Sequence, residues 1–539
     1  MTTAEAPRPV LASYVVPIAI ALVVLVGMQA RFMGDTVDYI NNSFEFDYQS
    51  WDFGHLFWVP IGTLAQGLGR DGVLWTFLVV NAIAGISSVL LLRATLGLVG
   101  VRPWTAAAVS VALLFVQAML NFSQTGSSYV PGLALTLLAL YLALLRPESA
   151  RGAWLTAVGS GFAMAGAITI WFPYVLVVPG VLMAPVLVYG YDRPRVWFVV
   201  RAAVAMGVLI LATYGPTAWM MGVQNLAGLR GWVAKSSHGV QTGPQVPRAA
   251  FGLARSFIFM GDDGLLFKRY LLRDTYNPVT LADLAGMSLW KLGFFYLMLA
   301  AVALQSLRDT RGRRLLLLAL VGGVPVVVFG LFWQGGDMER YMPLYPFFFV
   351  ALAGAFDAAR GWAALRWIMV GFFVMVVAVN GYTHSRWEVK RYQDGLADRV
   401  RELRPRLKPG SVLIVVRDRL KLLPRDFPLD PVGRGLFVHE TATPGMATTD
   451  AWHADFAKVA LAAWSEGGDV WLSKRLLESQ PRADSTWAEG EDKRLTWSDL
   501  RAFFASLEVD DQAGGDDGFV RLAETAGQGN RLTNMAKGK

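Results

Sequence analysis

The 539-residue chain contains no cysteine. That excludes disulfides, thiolate metal sites and a cysteine nucleophile. It is also short of charge: 17% of residues are Asp, Glu, Lys or Arg, where a soluble domain carries about a quarter. The deficit is uneven, since long stretches of the first 380 residues or so have almost no charge, whereas the last 150 or so resemble ordinary soluble protein. Several signatures are missing too. There is no Walker loop, no GxGxxG after a strand, no HExxH and no serine triad, so an ATP-driven pump or a soluble-type nucleotide enzyme is unsupported. No internal repeat is evident.

What is present is apolar sequence. Hydrophobic residues make up 54% of the chain, and mean hydropathy is +0.41. A helix needs about 20 apolar residues to cross the hydrocarbon core. Such runs occur near 11–29, 73–97, 104–120, 128–145, 154–172, 174–190, 196–221, 288–306, 315–333, 343–358 and 367–382. They predict about eleven membrane-spanning helices. The pair around Trp171, Phe172 and Pro173 reads as two spans, one kinked hairpin or a re-entrant segment. The first run, Leu11 to Met28, is long enough to span and no small-residue cleavage site follows, so it reads as a span rather than a cleaved signal.

The short loops alternate in charge. One set carries Arg102; Arg146 and Arg151; Arg193 and Arg195; Arg308, Arg311, Arg313 and Arg314; Arg360 and Arg366. The other set is bare at 121–127 and 172–173 and holds only Arg340 at 334–342. Cytoplasmic loops are enriched in Lys and Arg, so the N-terminus is expected in the cytoplasm and the C-terminal region outside, in a bacterial plasma membrane. The same rule accounts for much of the net charge of +8, which therefore does not indicate nucleic acid. Two outer loops are long, at about 30–72 and 222–287.

Residues 1–383 thus read as an all-α polytopic membrane domain. A small α/β extracytoplasmic domain is expected over 384–510, from a surface helix at 386–408, a strand-like run SVLIVV (411–416), a helical pattern at 454–467 and a second strand-like run DVWLSK (469–474). The Gly-, Asp- and Gln-rich remainder, 511–539, reads as a flexible tail.

Candidate chemistry sits on the outer side. The first outer loop is acidic, and Asp35 follows the first span closely. Asp38 and Tyr39 come about one helical turn later, on the same face if the segment is helical. Two carboxylates there suit a general base or a cation site; solvated loop acids are the plain alternative. His55 opens GHLFWVPIG, an interfacial stretch, where it either donates to a phosphate or serves as a structural residue beside aromatics. Arg340 stands just before a span, where it either grips an anionic headgroup in bidentate fashion or snorkels and pairs with Asp337 or Glu339. Lys268, Arg269 and Tyr270 in the second long loop have the same two readings.

Taken together, these residues resemble the GT-C superfamily of integral membrane glycosyltransferases. GDTVDY is similar to the Asp-initiated, Tyr-ending segment of bacterial members related to protein mannosyltransferases and lipid A aminoarabinose transferases. GHLFWVPIG looks like the Gly-His-Pro-type start of the next helix, without the proline after the histidine. RYMPLYP is similar to the Arg-Tyr-x-x-Pro segment that opens a late span. The resemblance covers about 11–382. It implies transfer of a sugar from a polyprenyl-phosphate donor to a lipid, glycan or protein acceptor at the outer membrane surface. Asp35 takes the place of the catalytic carboxylate, with Asp38 as its alternative. Tyr39, His55, Lys268, Arg269, Arg340 and Tyr341 fall at donor-binding positions. Several metal-dependent members carry a second acid after the third span; here that loop is NFSQTGSSYVP, so no cofactor is fixed and a divalent cation stays open. A transporter or lipid flippase is the main alternative function and a non-catalytic scaffold a third. Neither paired halves nor ionisable residues deep in the spans support a transport path.

Overall fold

The computed structural model describes residues 8–27, 35–44, 46, 51–236, 243–261, 270, 279–359, 362–384, 403–415, 437–440, 449–474, 502–510 and 518–537. Among them, nine helices are long and apolar enough to cross a membrane, and Pro103–Phe115 and Tyr129–Leu144 are shorter apolar helices of the same bundle. These nine and two fall on the eleven expected spans. The chain is a multi-pass membrane protein.

The bundle begins with α1 (Arg8–Gly27), which buries Ala21 and Leu25 against Val89 and Leu114. A short helix α2 (Thr36–Phe44) and a single-turn helix α3 (Trp58–Thr63) occupy the first long loop. The long α4 (Gly69–Leu98) follows. Its buried Arg93 is satisfied by α1. Nε donates to the Ser13 carbonyl (3.2 Å), a terminal nitrogen donates to Ser13 Oγ (2.5 Å), and the guanidinium lies over the Tyr14 ring.

Helix α5 (Pro103–Phe115) stops at Val116, whose backbone is extended (ψ 145°), and α6 (Gln117–Phe122) resumes in a new direction. Helix α7 (Tyr129–Leu144) is buried along nearly all its length. Its 16 residues rise only about 24 Å, less than the bilayer core, but its neighbours enclose it, so its backbone ends meet protein rather than lipid. Gly132 makes that enclosure possible. A Cβ there would lie 2.2 Å from the Tyr174 ring.

Next come α8 (Ala150–Ile170) and α9 (Val178–Tyr189), separated by extended Trp171 and a 3-10 turn over Phe172–Val177. The uncertain pair is therefore two helices. Helix α10 (Arg193–Met220) leads to the second long loop, which contains α11 (Leu226–Ser236) and the amphipathic α12 (Val246–Phe257). Three further spans are α13 (Leu281–Ser306), α14 (Thr310–Phe332) and, after a 3-10 turn over Met338–Leu344, α15 (Tyr345–Ala358). The last span is α16 (Ala363–His384).

The C-terminal region holds a five-stranded sheet in the order β2-β1-β3-β5-β4, from β1 (Val412–Val415), β2 (Phe437–Glu440), β3 (Val470–Ser473), β4 (Val509–Asp510) and β5 (Phe519–Leu522). β1 pairs in parallel with β2 and β3, and β5 joins antiparallel to β3 and β4. Between β1 and β3 runs α17 (Thr449–Ser465), so the expected strand–helix–strand unit is present. The surface helix expected at 386–408 lies mostly outside the described residues.

The flexible-tail expectation needs correction. Residues 518–537 complete the domain: β5 pairs with β3, and the last helix, α18 (Ala526–Ala536), packs Leu532 into the same core as Phe456, Phe503 and Val520. Gly- and Asp-rich composition describes 511–517, but FVRL has the apolar content of a strand, and burying it offsets the entropy of ordering the chain after it.

Candidate active site

Asp35 immediately precedes α2 and begins its hydrogen bonding: the Tyr39 backbone N–H donates to the Asp35 carbonyl at 2.8 Å. Four residues separate them, so both side chains share one face. Tyr39 is buried, and its hydroxyl donates to Asp35 Oδ2 at 3.4 Å. A second phenol reaches the same oxygen from another helix: Tyr129, at the head of α7, donates at 3.4 Å.

That convergence depends on how the loop between α6 and α7 is pinned. Gly126 N–H donates to Thr36 Oγ1 (3.0 Å), and Trp58 Nε1 donates to the Gly126 carbonyl (2.7 Å). Asn81 of α4 donates to the carbonyls of Thr125 and Ser127 (3.0 and 2.9 Å). Asn121 donates to Met338 Sδ. The loop is buried throughout, and these bonds satisfy backbone groups that would otherwise be stranded.

His55 comes from the same acidic loop as Asp35. Its segment is tied to the α8–α9 hairpin, since Phe57 N–H donates to the Thr169 carbonyl (3.0 Å) and Phe172 N–H to the Gly54 carbonyl (2.9 Å). From α10 and α11, Tyr214 Oη donates to the Phe53 carbonyl and Trp232 Nε1 to the Trp51 carbonyl. The imidazole is thereby held with Nδ1 2.8 Å from Ser128 Oγ and Nε2 3.0 Å from Tyr39 Oη; Nδ1 is 3.2 Å from the same Oη. Burial is the main influence pushing the His55 pKa down; Asp52, Asp35 and the Ile170 carbonyl oppose it, and Arg340 adds to it. Burial also pushes the Tyr39 phenol well up, and Tyr129, Asp35 and Asp52 reinforce it. Both groups are neutral near pH 7.

Arg340 enters from the 3-10 turn before α15. Its guanidinium lies 4.4 Å from the Trp333 ring centroid and 6.0 Å from that of Trp171. A terminal nitrogen donates to Gln334 Oε1 at 2.5 Å, and Nε is 3.9 Å from Glu339 Oε1. Gln334 makes this contact from a left-handed backbone (φ 44°), a conformation uncommon for a residue with a side chain. The adjoining glycines allow α12 to press on this turn: a Cβ at Gly252 would lie 1.8 Å from the Gly335 carbonyl oxygen. Arg340 is within electrostatic reach of both His55 and Tyr129, as is Asp35. One end of the bundle therefore gathers a carboxylate, a guanidinium and neutral proton donors.

No protein-family profile matches this chain, and no curated protein does. Solved structures do. ArnT from Cupriavidus metallidurans bound to undecaprenyl phosphate has 14% identity and a TM-score of 0.54, over 95% of this chain and 98% of that one. ArnT from the same organism in the apo state has 15% identity and a TM-score of 0.51 over the same shares. The chain carries the ArnT fold. The resemblance to the GT-C superfamily holds at the level of fold, and the match extends beyond the spans into the C-terminal sheet domain.

Within the ArnT fold, the sequence-predicted residues separate. Asp35, Tyr39 and His55 come together, and Arg340 lies within electrostatic reach of His55. Asp38 is exposed on α2, as Asp35 is at its start. Tyr341, expected to bind donor, points elsewhere: its buried hydroxyl donates to the carbonyls of Ala249 and Gly335 (2.9 and 2.8 Å), fastening α12 to the turn that carries Arg340. Lys268 and Arg269 lie outside the described residues, and Tyr270 is exposed. Among the described residues no group of three or more His, Asp or Glu side chains is placed to hold a metal ion. The segment 121–129 offers hydroxyl and phenol donors where a second acid would be needed, which does not fit a cation bridged between the two loops. Sequence reasoning missed Ser128, Tyr129, Trp171, Trp333 and Gln334. The available signal was SSYVP, two hydroxyls and a phenol opening an apolar span on the side free of arginine.

Proposed function

We propose that this chain is a membrane glycosyltransferase that moves a sugar from a polyprenyl-phosphate carrier to an acceptor hydroxyl at the extracytoplasmic surface, with Asp35 as general base and Arg340 as the cation for the leaving phosphate. The observation that carries the reading is that Asp35 and Arg340, from opposite ends of the membrane domain's sequence, both lie within electrostatic reach of His55 and Tyr129, with Tyr129 donating to Asp35 Oδ2. The ArnT fold supports it, since one of the matching structures is of ArnT bound to undecaprenyl phosphate.

The chemistry follows from these residues. The acceptor oxygen attacks the anomeric carbon as its proton passes to the Asp35 carboxylate. The bond from that carbon to the carrier's phosphate oxygen breaks, and its electron pair leaves with the phosphate. The growing negative charge needs a cation that stays ionised in a partly dry site, which a guanidinium provides in a rigid fork. Trp333 and Trp171 hold that fork by cation–π contact. The arginine-bearing short loops support a cytoplasmic N-terminus, with this end of the bundle and the sheet domain outside.

The test uses full-length protein in nanodiscs with synthetic undecaprenyl-phosphate pentoses and hexoses, reading release of undecaprenyl phosphate. A general base contributes about 10²–10⁴-fold, so Asp35→Asn should lose at least the lower figure. If Asp38→Asn is inactive and Asp35→Asn is not, the base is Asp38. If both turn over normally with a donor that the parent uses, the reading fails.

A further inference from the structure

We infer that Glu339 is a positioning residue that acts through Arg340: its carboxylate, 3.9 Å from the guanidinium Nε, cancels enough of that charge for the site to hold a singly charged phosphodiester donor and still release the doubly charged phosphate that transfer leaves behind. The inference rests on the glycosyltransferase reading with Arg340 at the phosphate. It gives a role to an acid that the reading leaves unused.

The guanidinium has a donor to spare. Trp333 lies 4.4 Å from it and Trp171 6.0 Å. A terminal nitrogen donates to Gln334 Oε1. Nε is buried and makes no hydrogen bond. Glu339 is the neighbouring anion, but 3.9 Å is beyond hydrogen-bond range. The fold thus keeps a dry N–H unused, with a carboxylate held within Coulomb reach of it. An orphaned buried donor in a native structure has a reason, and a phosphate oxygen is an acceptor that satisfies it.

The acid belongs to the same site. It is within electrostatic reach of Tyr129, which donates to Asp35 Oδ2. Arg255 of α12 donates to the Gly336 carbonyl at 3.0 Å, steadying the turn that carries both residues of the pair. Arg255 and Asp337 also lie within electrostatic reach of Glu339. Being opposite in sign, they oppose each other and leave the Arg340–Glu339 pair to set the local balance.

Transfer changes the charge that Arg340 meets. The donor's phosphodiester carries one negative charge. When the bond to the anomeric carbon breaks, its electron pair stays on the phosphate oxygen, and the acceptor's proton goes to Asp35. The product is a phosphomonoester, whose second pKa is about 6 and whose charge at neutral pH and above approaches −2. Coulomb attraction scales with charge, so a lone guanidinium in a partly dry site binds product more tightly than donor. Such an enzyme stalls at product release, a step that often limits turnover. A carboxylate beside the guanidinium repels the dianion about twice as strongly as the monoanion. The pair is then near neutral, and what Arg340 offers is its directed N–H bonds, which both forms accept.

The test compares two lipids on full-length protein in nanodiscs at pH 8.5: undecaprenyl phosphate, a dianion, and its methyl diester, a monoanion. The parent should bind the two with similar affinity. Glu339→Gln keeps the shape and removes the charge, and should favour the dianion by about ten-fold or more. In turnover at the same pH, Glu339→Gln should lower kcat while kcat/KM for the donor stays at or above the parent's. Added undecaprenyl phosphate should inhibit this variant more strongly than the parent. Glu339→Asp keeps the charge and should keep the parent's ratio of affinities, even if it melts lower. A parent that itself prefers the dianion by about ten-fold overturns the inference, whatever the variants do. So does a Glu339→Gln variant whose affinities for the two lipids move together, because a merely structural acid acts on both alike; Arg340 as the phosphate cation then stands. A parent that binds neither lipid sinks the glycosyltransferase reading instead.

Discussion

Replacing Arg340 by alanine should destabilise the protein as well as disarm it. The structure gives the size of the effect. The Arg340 side chain is 12% exposed and that of Glu339 is 14% exposed, with Nε 3.9 Å from the carboxylate. Neither side chain is well hydrated, so a buried acid that loses its cation takes up a proton rather than remaining as a stranded charge. The expected cost is that of the lost hydrogen bond to Gln334 and the contact with Trp333, about 1–3 kcal/mol. Arg340→Ala with Glu339→Gln removes that acid and should melt no lower than Arg340→Ala alone. Thermal unfolding in nanodiscs, followed by tryptophan fluorescence, measures both. Binding of undecaprenyl phosphate to the same preparations separates folding from function. Loss of a charge-assisted bond, about 1.5–3 kcal/mol, is roughly a 10–100-fold loss of affinity, and it should persist in the refolded double variant. A single variant that melts with the parent, or a double variant that melts below the single, refutes the stability argument. Parent-like affinity in the double variant refutes the phosphate role.

Gly132→Ala would place a methyl 2.2 Å from the ring of fully buried Tyr174, whose hydroxyl donates to the Tyr129 carbonyl. Overpacking of this kind costs about 1–3 kcal/mol, and a lower melting temperature should accompany weaker transfer as Tyr129 shifts. His55, with its pKa held below 6.5 by burial, stays neutral while the unfolded chain takes up a proton. Stability should therefore fall as pH drops from 6.5 toward the folded value, and the melting-temperature difference between pH 7.5 and 5.5 should shrink in His55→Gln. For topology, a reporter fused after Lys539 should be active only outside the cytoplasm, and a cytoplasmic signal would overturn the orientation.

The spans were legible because a bilayer offers backbone groups no water, so each crossing must be a long apolar helix. Even α5, broken at Val116, was visible as an apolar run. The C-terminal sheet was legible only where it is local. SVLIVV and DVWLSK flank a helical pattern and form the parallel pair β1 and β3. β5 was hidden in a Gly- and Asp-rich stretch because its partner β3 lies far back along the chain (Leu472 opposite Val520). A four-residue apolar run carries no mark of an antiparallel neighbour at that separation.

The site shows the same division between local and distant information, with a sharper consequence. Asp35 and Tyr39 share a helical face at four-residue spacing, and Arg340 stands out by its charge in a loop otherwise free of base. These are patterns within one segment. Ser128 and Tyr129 carry no such mark, since serine and tyrosine at the head of an apolar span are unremarkable until α2, α3 and α4 pin that loop beneath Asp35. Their chemistry differs from that of the acid expected there. A second carboxylate beside Asp35 would repel its charge and raise its affinity for a proton, so it would need a cation to offset it. Hydroxyl and phenol donors stabilise the charged form without adding charge of their own. On this reading the leaving phosphate's charge is met by the arginine. The missing acid of the third-span loop and the two phenols on Asp35 Oδ2 are thus one feature, and Tyr129→Phe, which removes one of the two donors, should lower kcat with Asp35 still in place; a variant that turns over like the parent refutes the role of Tyr129.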